Sequence, residues 1–143
     1  MRILLKKEEG VKTPSYQSEG SAGFDISAHL EKSIVIKSFS RCIIPTGLYF
    51  EIPEGYEMQI RPRSGLALKH GITVLNTPGT IDSDYRGEIK IVLVNLSDED
   101  FVVNDGDRIA QAIVAPYTRC DFEITDTLSD TIRADGGFGS SGV

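Results

Sequence analysis

The stretch LYFEIPEGYEMQIR, residues 48–61, indicates the fold class most directly. Apolar and polar side chains alternate across residues 48–52 and again across residues 56–61, which is the period of a half-buried β-strand. The sequence PEG at residues 53–55, between the two runs, is typical of a turn. The stretch therefore predicts a β-hairpin with one apolar face.

Similar short runs, separated by turn residues, recur along the rest of the chain. They predict further strands at residues 33–36, 42–44, 72–75, 89–96, 101–103, 108–114 and 122–124. A length of 143 residues suits one domain with a sizeable core, and no internal repeat or interdomain linker is visible. Many short strands predict an all-β sandwich, jelly roll or barrel.

The composition restricts the classes of partner. A net charge of −6 argues against broad binding to nucleic acid, which requires a basic face. Cys42, Cys120, His29 and His70 lack the spacing of zinc ligands. The apolar run at residues 3–5 is too short for a signal peptide or a membrane span, so a cytoplasmic protein without nucleic-acid or membrane partners is expected.

One segment departs from the strand pattern: RPRSGLALKHG, which begins at Arg61, predicts a single short helix. Ser64 is predicted as its N-cap and Gly71 as its left-handed stop. Free N–H groups near Gly65, with Arg63 beside them, are suited to a phosphate. An ordinary capped helix with solvated arginines explains the same residues, and the segment alone does not decide between the two.

The polar stretch NTPGTIDSDYRGEI, residues 76–89, predicts a second β-hairpin with a polar tip. Asn76 offers a donor and an acceptor to the edge of a base, as do the backbone groups of residues 79–81. Either Asp82 or Asp84 can orient and deprotonate a water molecule. Polar hairpin loops are rich in Asp and Gly in any case, so this stretch alone is better explained as a plain loop.

The C-terminal sequence divides the chain into a body, residues 1–132, and a glycine-rich tail, residues 133–143, predicted to be flexible and to close over the active site. Consecutive glycine N–H groups can hold an anion, although no P-loop sequence follows. Phe138 is the lone aromatic residue of this tail, which favours stacking on a base over burial in a core. A linker remnant is the alternative.

Two further segments carry polar residues in strand surroundings. SAGFDIS, from Ser21, places the Asp25 carboxylate between two apolar residues, and GDRIAQA, from Gly106, contains Asp107 and Gln111. Each is weak evidence alone, because a carboxylate at the edge of a core and an aspartate in a turn are both ordinary features.

Taken together, these five segments resemble, in order and spacing, the five motifs of the trimeric deoxyuridine triphosphate nucleotidohydrolases, the dUTPases. The likeness runs from about Gly20 to Gly142. It implies a distorted jelly roll, or β-clip, with one short helix. It also implies a homotrimer in which each active site draws motifs from more than one subunit.

The resemblance implies hydrolysis of dUTP to dUMP and pyrophosphate, which keeps uracil out of DNA and supplies dUMP for thymidylate synthesis. Asp82 is implied as the general base that directs a water molecule at the α-phosphorus. Mg²⁺, the implied cofactor, is held mainly by the substrate phosphates, and Asp25 touches it through its water shell.

The implied substrate contacts fall into groups. The uracil, the deoxyribose and the reacting phosphate are assigned to Asn76, Gly79, Thr80, Ile81, Asp82, Tyr85 and Lys90, the last through its backbone. The phosphates are assigned to Arg63, Ser64, Gly65, Gln111 and Arg133. The closing tail contributes Phe138 over the uracil, with Gly139 and Ser140.

Two alternative functions are distinguishable on the sequence. A deoxycytidine triphosphate deaminase shares the implied fold, but its catalytic glutamate follows the hairpin tip, where residues 89–94 contain no carboxylate here. A non-catalytic jelly-roll module needs neither Asp82 nor the glycine-rich tail.

Overall fold

The computed structural model describes residues 1–137, which form eleven short strands and one helix. The strands are β1 (Leu4–Lys7), β2 (Phe24–Ser27), β3 (Ile34–Ile36), β4 (Arg41–Pro45), β5 (Leu48–Glu51), β6 (Tyr56–Arg61), β7 (Ile72–Val74), β8 (Gly79–Ile81), β9 (Lys90–Asn95), β10 (Phe101–Val103) and β11 (Arg108–Pro116). The helix, α1 (Ser64–His70), lies between β6 and β7. The predicted all-β class with one short helix is confirmed.

The strands pair antiparallel in four small sheets. Two sheets have two strands each, β1–β5 and β3–β10, and a third has the order β4–β9–β7. The fourth has the order β2–β11–β6–β8 and carries five of the residues that the site prediction names, which are Asp25, Gln111, Gly79, Thr80 and Ile81. Strands distant in the sequence are neighbours in space, and the architecture is a distorted jelly roll.

Alternation along the strands places one face of each in a continuous core. In β6, Met58 and Ile60 are buried while Arg61 is exposed, and in β5 Leu48 and Phe50 are buried while Glu51 is exposed. Buried residues from β2, β4, β7, β9 and β11 complete the cluster. The predicted inward faces of residues 48–61 are therefore confirmed.

The predicted pairing of those two runs is wrong. The turn at residues 53–55 forms, with the Tyr56 N–H 3.2 Å from the Pro53 carbonyl, but β5 and β6 then separate. Strand β5 pairs with β1, and β6 pairs with β11 and β8. Alternation specifies which face is buried, whereas the partner is chosen by packing of distant segments, which a local pattern does not contain.

The predicted strand at residues 122–124 is also wrong, because residues 117–137 contain no strand or helix. Phe122 and Ile124 are 95% and 98% exposed, so this run has the composition of a strand without a partner strand in its own chain. The predicted boundary at residue 133 stays a prediction, and the last strand ends earlier, at Pro116.

Within residues 1–137, no helix has the length and apolar character that crossing a membrane requires.

Candidate functional site

The short helix begins and ends close to the predicted residues. Gly71 is the C-cap with φ 64°, and its N–H donates to the Ala67 carbonyl at 3.1 Å, as predicted for a left-handed stop. Arg63, in extended conformation, is the N-cap, so the prediction of Ser64 as N-cap is wrong by one residue. The first intrahelical bond runs from the Ala67 N–H to the Arg63 carbonyl, which leaves the N–H groups of residues 64–66 directed outward.

Asp25 and two arginines form a compact ionic cluster at the start of this helix. Arg63 Nε donates to Asp25 Oδ1 at 3.1 Å, and Arg108 Nη1 donates to Asp25 Oδ2 at 3.0 Å. Arg63 Nη1 also donates to the Arg108 carbonyl at 3.0 Å. The Asp25 side chain is only 12% exposed. Two of the Arg63 nitrogens are thus occupied within the chain, which fixes the direction of its remaining donor group.

Gln111 lies in the same row of the sheet as Asp25. In the antiparallel ladders Gln111 is opposite Asp25 on β2 and opposite Arg61 on β6. Side chains opposite one another share a face of the sheet, so these polar residues form one strip that continues toward Arg63 and Ser64. The structure brings together the residues assigned to the phosphates in the body of the chain.

Asp25 is the acidic residue that the resemblance assigns to a metal ion. Residues 1–137 contain no group of three or more His, Cys, Asp or Glu residues able to hold a metal ion. Asp25 is a single carboxylate with both oxygens engaged by arginine, although each oxygen can accept a second bond from a water molecule. Mg²⁺ keeps several of its waters readily, so an outer-shell contact to Asp25 suits this donor set.

The segment at residues 76–89 connects β7 to β9, which pair with each other. The prediction that the segment is itself a hairpin is wrong, since β8 leaves it to pair with β6, with Gly79 opposite Ile60. A side chain at Gly79 would press on Asn76, because a Cβ there would lie 3.3 Å from Asn76 Nδ2. Asn76 therefore packs directly on the strand whose backbone groups are assigned to the base.

Asp82 follows β8 immediately and is exposed. It lines an open groove of about 700 Å³ with residues of the same loop, of the end of β5 and the turn that follows it, and of the segment after β11. These are Glu51, Ile52, Pro53, Glu54, Ser83, Asp84, Arg86, Tyr117 and Arg119. The Asp82 carbonyl accepts the Tyr85 N–H at 3.2 Å, which fixes a turn and leaves the carboxylate available to solvent.

Tyr85 lies flat over the turn that follows it. Its hydroxyl donates to the Glu88 carbonyl at 3.1 Å, and its ring covers Gly87. The residue is 44% exposed, so the hydroxyl end of the ring is held by the chain while part of the ring is open to solvent. Lys90 is exposed as well, with its Nζ 3.4 Å from the Glu88 carboxylate.

In the tail, Arg133 is exposed and its Nε donates to the Gly136 carbonyl at 2.8 Å. Phe138, Gly139 and Ser140 lie outside the described residues.

The predicted residues occupy two places in one chain. The strip of Asp25 and Gln111 begins at the β2 edge of the four-stranded sheet, and Asp82 follows β8 at the opposite edge. Three inter-strand steps separate these edges, a distance of roughly 14 Å. Arg108 and Glu88 were not assigned roles on the sequence, and the only available indication was their position inside GDRIAQA and DYRGEI.

Replacing Gly87 by alanine should displace the Tyr85 ring, since an added Cβ would overlap it, with ring atom Cε2 only 2.9 Å away. The ring is half-exposed and can move outward, so the free energy of unfolding should change by no more than about 0.5 kcal/mol. Because the resemblance implies that this ring packs on the deoxyribose of dUTP, kcat/KM for dUTP should fall by about tenfold. Steady-state kinetics and thermal melting of the same sample measure both, and a Gly20→Ala variant, at a position where the added Cβ meets nothing within 4 Å and the backbone is not left-handed, controls for the loss of a glycine.

Comparison with known proteins identifies the family of the chain. The dUTPase family model matches residues 9–142. A deoxyuridine 5'-triphosphate nucleotidohydrolase of Treponema denticola is 56% identical over 143 residues, covering 100% of this chain and 99% of the relative. One from Bdellovibrio bacteriovorus is 57% identical over 144 residues, covering 99% and 97%.

Solved structures show the same fold. A mutant of the dUTPase of phage 80alpha superimposes with a TM-score of 0.88 at 23% identity, covering 98% of each chain. The Staphylococcus bacteriophage 80alpha dUTPase with dUpNHpp gives 0.86 at 24% identity, covering 99% of each. With a family model that spans nearly its whole length, and relatives more than half identical to it, the chain belongs to the dUTPase family.

Proposed function

We propose that this chain is a dUTP diphosphatase, which hydrolyses dUTP to dUMP and pyrophosphate. The observation that carries the proposal is its full-length identity of 56–57% with proteins named as deoxyuridine triphosphate nucleotidohydrolases. The reaction removes a precursor of uracil in DNA and supplies dUMP for thymidylate synthesis. We place it in the cytoplasm, where the unpaired state of Cys42 and Cys120 is the usual one.

Recognition of the nucleoside is assigned to the β7–β9 connection. Asn76 and the backbone of Gly79, Thr80 and Ile81 read the uracil edge, with a backbone contact from Lys90. Support comes from the contact of Asn76 with Gly79, which sets the amide against the strand. Backbone donors placed to bind the uracil O4 atom reject cytosine, which has an amino group there. Close approach of the chain to the 5-position of the base rejects thymine, which carries a methyl group there.

The exposed part of the Tyr85 ring packs on the deoxyribose and leaves no room for a 2′-hydroxyl. Its hydroxyl end is held by the contacts to Gly87 and to the Glu88 carbonyl.

Phosphate binding is assigned to Arg63, Ser64, Gly65 and Gln111, with Arg133 from the tail. The outward N–H groups at the start of α1 and the remaining donors of Arg63 form one polar strip with Gln111. When the tail closes, Phe138 covers the uracil, and Gly139 and Ser140 approach the phosphates, so that bulk water is excluded.

Asp82 acts as the general base. Its exposed carboxylate accepts a proton from the water that attacks the α-phosphorus in line, and pyrophosphate leaves. A bound Mg²⁺ supplies charge neutralisation on the phosphates, with Asp25 in contact with its water shell. The arginines act in the same sense, by stabilising negative charge on the leaving group.

We also propose a homotrimer with shared active sites. Asp82 and the phosphate residues lie toward opposite ends of the β6–β8 pair, because Ile81, next to Asp82, is opposite Met58 whereas Arg63 follows the other end of β6, so a partner subunit must bring the complementary set. The segment after β11 exposes large apolar side chains, which a single chain leaves in water. These are Phe122 (95%), Ile124 (98%), Leu128 (88%) and Ile132 (109%).

One assay tests the activity against its alternatives. The protein is incubated with Mg²⁺ and each deoxynucleoside triphosphate in turn, and monophosphate, pyrophosphate and ammonia are measured. Pyrophosphate from dUTP alone is expected. Ammonia from dCTP would identify a deaminase, and binding without product would identify a non-catalytic module.

The assembly is tested by the mass in solution. A trimer is expected by sedimentation or light scattering, and replacing Phe122 and Ile124 with serine should shift the mass toward monomer and abolish turnover together. A fully active monomer would contradict the shared site.

A further inference from the structure

Glu88 is a half-buried carboxylate with two backbone donors on a single oxygen. Its Oε1 accepts the Gly47 N–H at 3.0 Å and the Thr46 N–H at 3.2 Å. Its Oε2 lies 3.4 Å from Lys90 Nζ, and the Glu88 side chain is 16% exposed while that of Lys90 is 49% exposed. The backbone contacts are therefore the sheltered part of the arrangement, and the ion pair is the solvated part.

The turn that donates these bonds is itself immobilised. Thr46 is fully buried, and its hydroxyl donates to the Ile89 carbonyl at 2.6 Å. Gly47 has φ 62°, and a Cβ there would lie 2.7 Å from Val11 Cγ2 and 3.0 Å from His29 Cδ2. The Glu88 side chain therefore bonds to a turn that is itself held by a buried hydrogen bond and by close packing.

Glu88 also touches the sugar-binding side of the loop, through its backbone. Its carbonyl accepts the Tyr85 hydroxyl at 3.1 Å, while the next residue, Ile89, donates its N–H to the Leu48 carbonyl at 2.8 Å. A rigid path therefore connects the Thr46–Gly47 turn to the Tyr85 ring by way of one side chain and one carbonyl.

We propose that Glu88 is a positioning residue that sets the discrimination between deoxyribose and ribose. It acts through Tyr85 and touches neither substrate nor reacting atoms. This inference rests on the proposed function, in which Tyr85 packs on the deoxyribose. The length of the Glu88 side chain matters and its negative charge does not. Both backbone N–H groups donate to a single side-chain oxygen, Oε1, and a glutamine side chain would keep that oxygen.

Two variants separate reach from charge. Glu88→Gln keeps the length and the accepting oxygen and loses only the solvated pair with Lys90, so it should behave like the parent. Glu88→Asp keeps the charge but is one methylene shorter and cannot hold both N–H groups. It should lower the ratio of kcat/KM for dUTP to that for UTP by about tenfold. A displaced Tyr85 ring excludes the 2′-hydroxyl less well, and misplacing a contact group by one ångström can change a rate by as much as about a hundredfold.

The measurement is kcat/KM for dUTP and for UTP in the parent, both variants and Glu31→Asp, an exposed glutamate of the β2–β3 loop that serves as control. Thermal melting of each sample monitors folding. A purely structural role would lower both rates together and leave their ratio unchanged in Glu88→Asp, which would overturn the inference. Loss of discrimination in Glu88→Gln would overturn it too, as it would show that charge is required.

The failure of this inference is distinct from failure of the proposed function. A parent protein that does not hydrolyse dUTP rejects the function itself. A parent that hydrolyses dUTP, with an unchanged ratio in Glu88→Asp, rejects only the role of Glu88. If Glu88→Asp does not fold, Tyr85→Phe removes the bond to the Glu88 carbonyl without touching the Thr46–Gly47 turn, and the same fall in the ratio is expected.

Discussion

Replacing Asp82 with asparagine should lower kcat for dUTP by about a hundredfold or more, while KM and nucleotide binding stay close to those of the parent. Asparagine has nearly the same shape but cannot accept the proton of the attacking water. Asp82 is exposed beside the groove, and within residues 1–137 its side chain has no ion pair or hydrogen bond that the substitution would break. The free energy of unfolding should therefore remain within about 0.5 kcal/mol of the parent value.

Asp84→Asn is the matched control for this substitution. Asp84 is exposed two residues away, lines the same groove and undergoes the same change of charge. It should keep most of the turnover. Single-turnover kinetics and nucleotide binding by calorimetry separate the chemical step from binding. Near-normal turnover in Asp82→Asn, or an equal loss in both variants, would remove Asp82 from the role of base.

Deleting residues 133–143 should leave a folded protein with turnover reduced by about a hundredfold or more. The described part of this tail, residues 133–137, adds no buried residue to the core, so the melting temperature should change by a few degrees at most. Activity should fall because Arg133 no longer reaches the phosphates and the site stays open to water.

A shorter deletion, of residues 141–143 only, is the control, because it keeps every residue of the tail to which a contact is assigned. Circular dichroism and solution mass establish that both truncated proteins fold and assemble. If the longer deletion fails to fold, the tail is structural, and if it remains fully active, the tail has no part in catalysis.

The sequence predicted the strands well where alternation is strong. Met58 and Ile60 in β6, and Leu48 and Phe50 in β5, point inward as the pattern indicates. The partners of those strands were not predictable, since β5 joins β1 and β6 joins β11. Each pairing joins segments more than forty residues apart, and the choice depends on the packing of the whole core.

The residues assigned to chemistry were found by resemblance, whereas their environments came from the structure. The cluster of Asp25 with Arg63 and Arg108 joins three motifs that are far apart in the sequence. Glu88 shows the limit of sequence reasoning, because a glutamate in a polar loop has an ordinary composition and its two backbone donors become visible only in three dimensions.

By itself the sequence determined the class of fold, the single short helix and the identity of the five motifs, because these depend on local periodicity and on residue types at fixed spacing. Tertiary structure alone decided which strands pair, which arginines hold Asp25 and that Asp82 and Arg63 lie toward opposite ends of the β6–β8 pair. The physical reason is that hydrogen-bond partners and distances between distant segments are set by the packing of the whole chain, which no local pattern encodes.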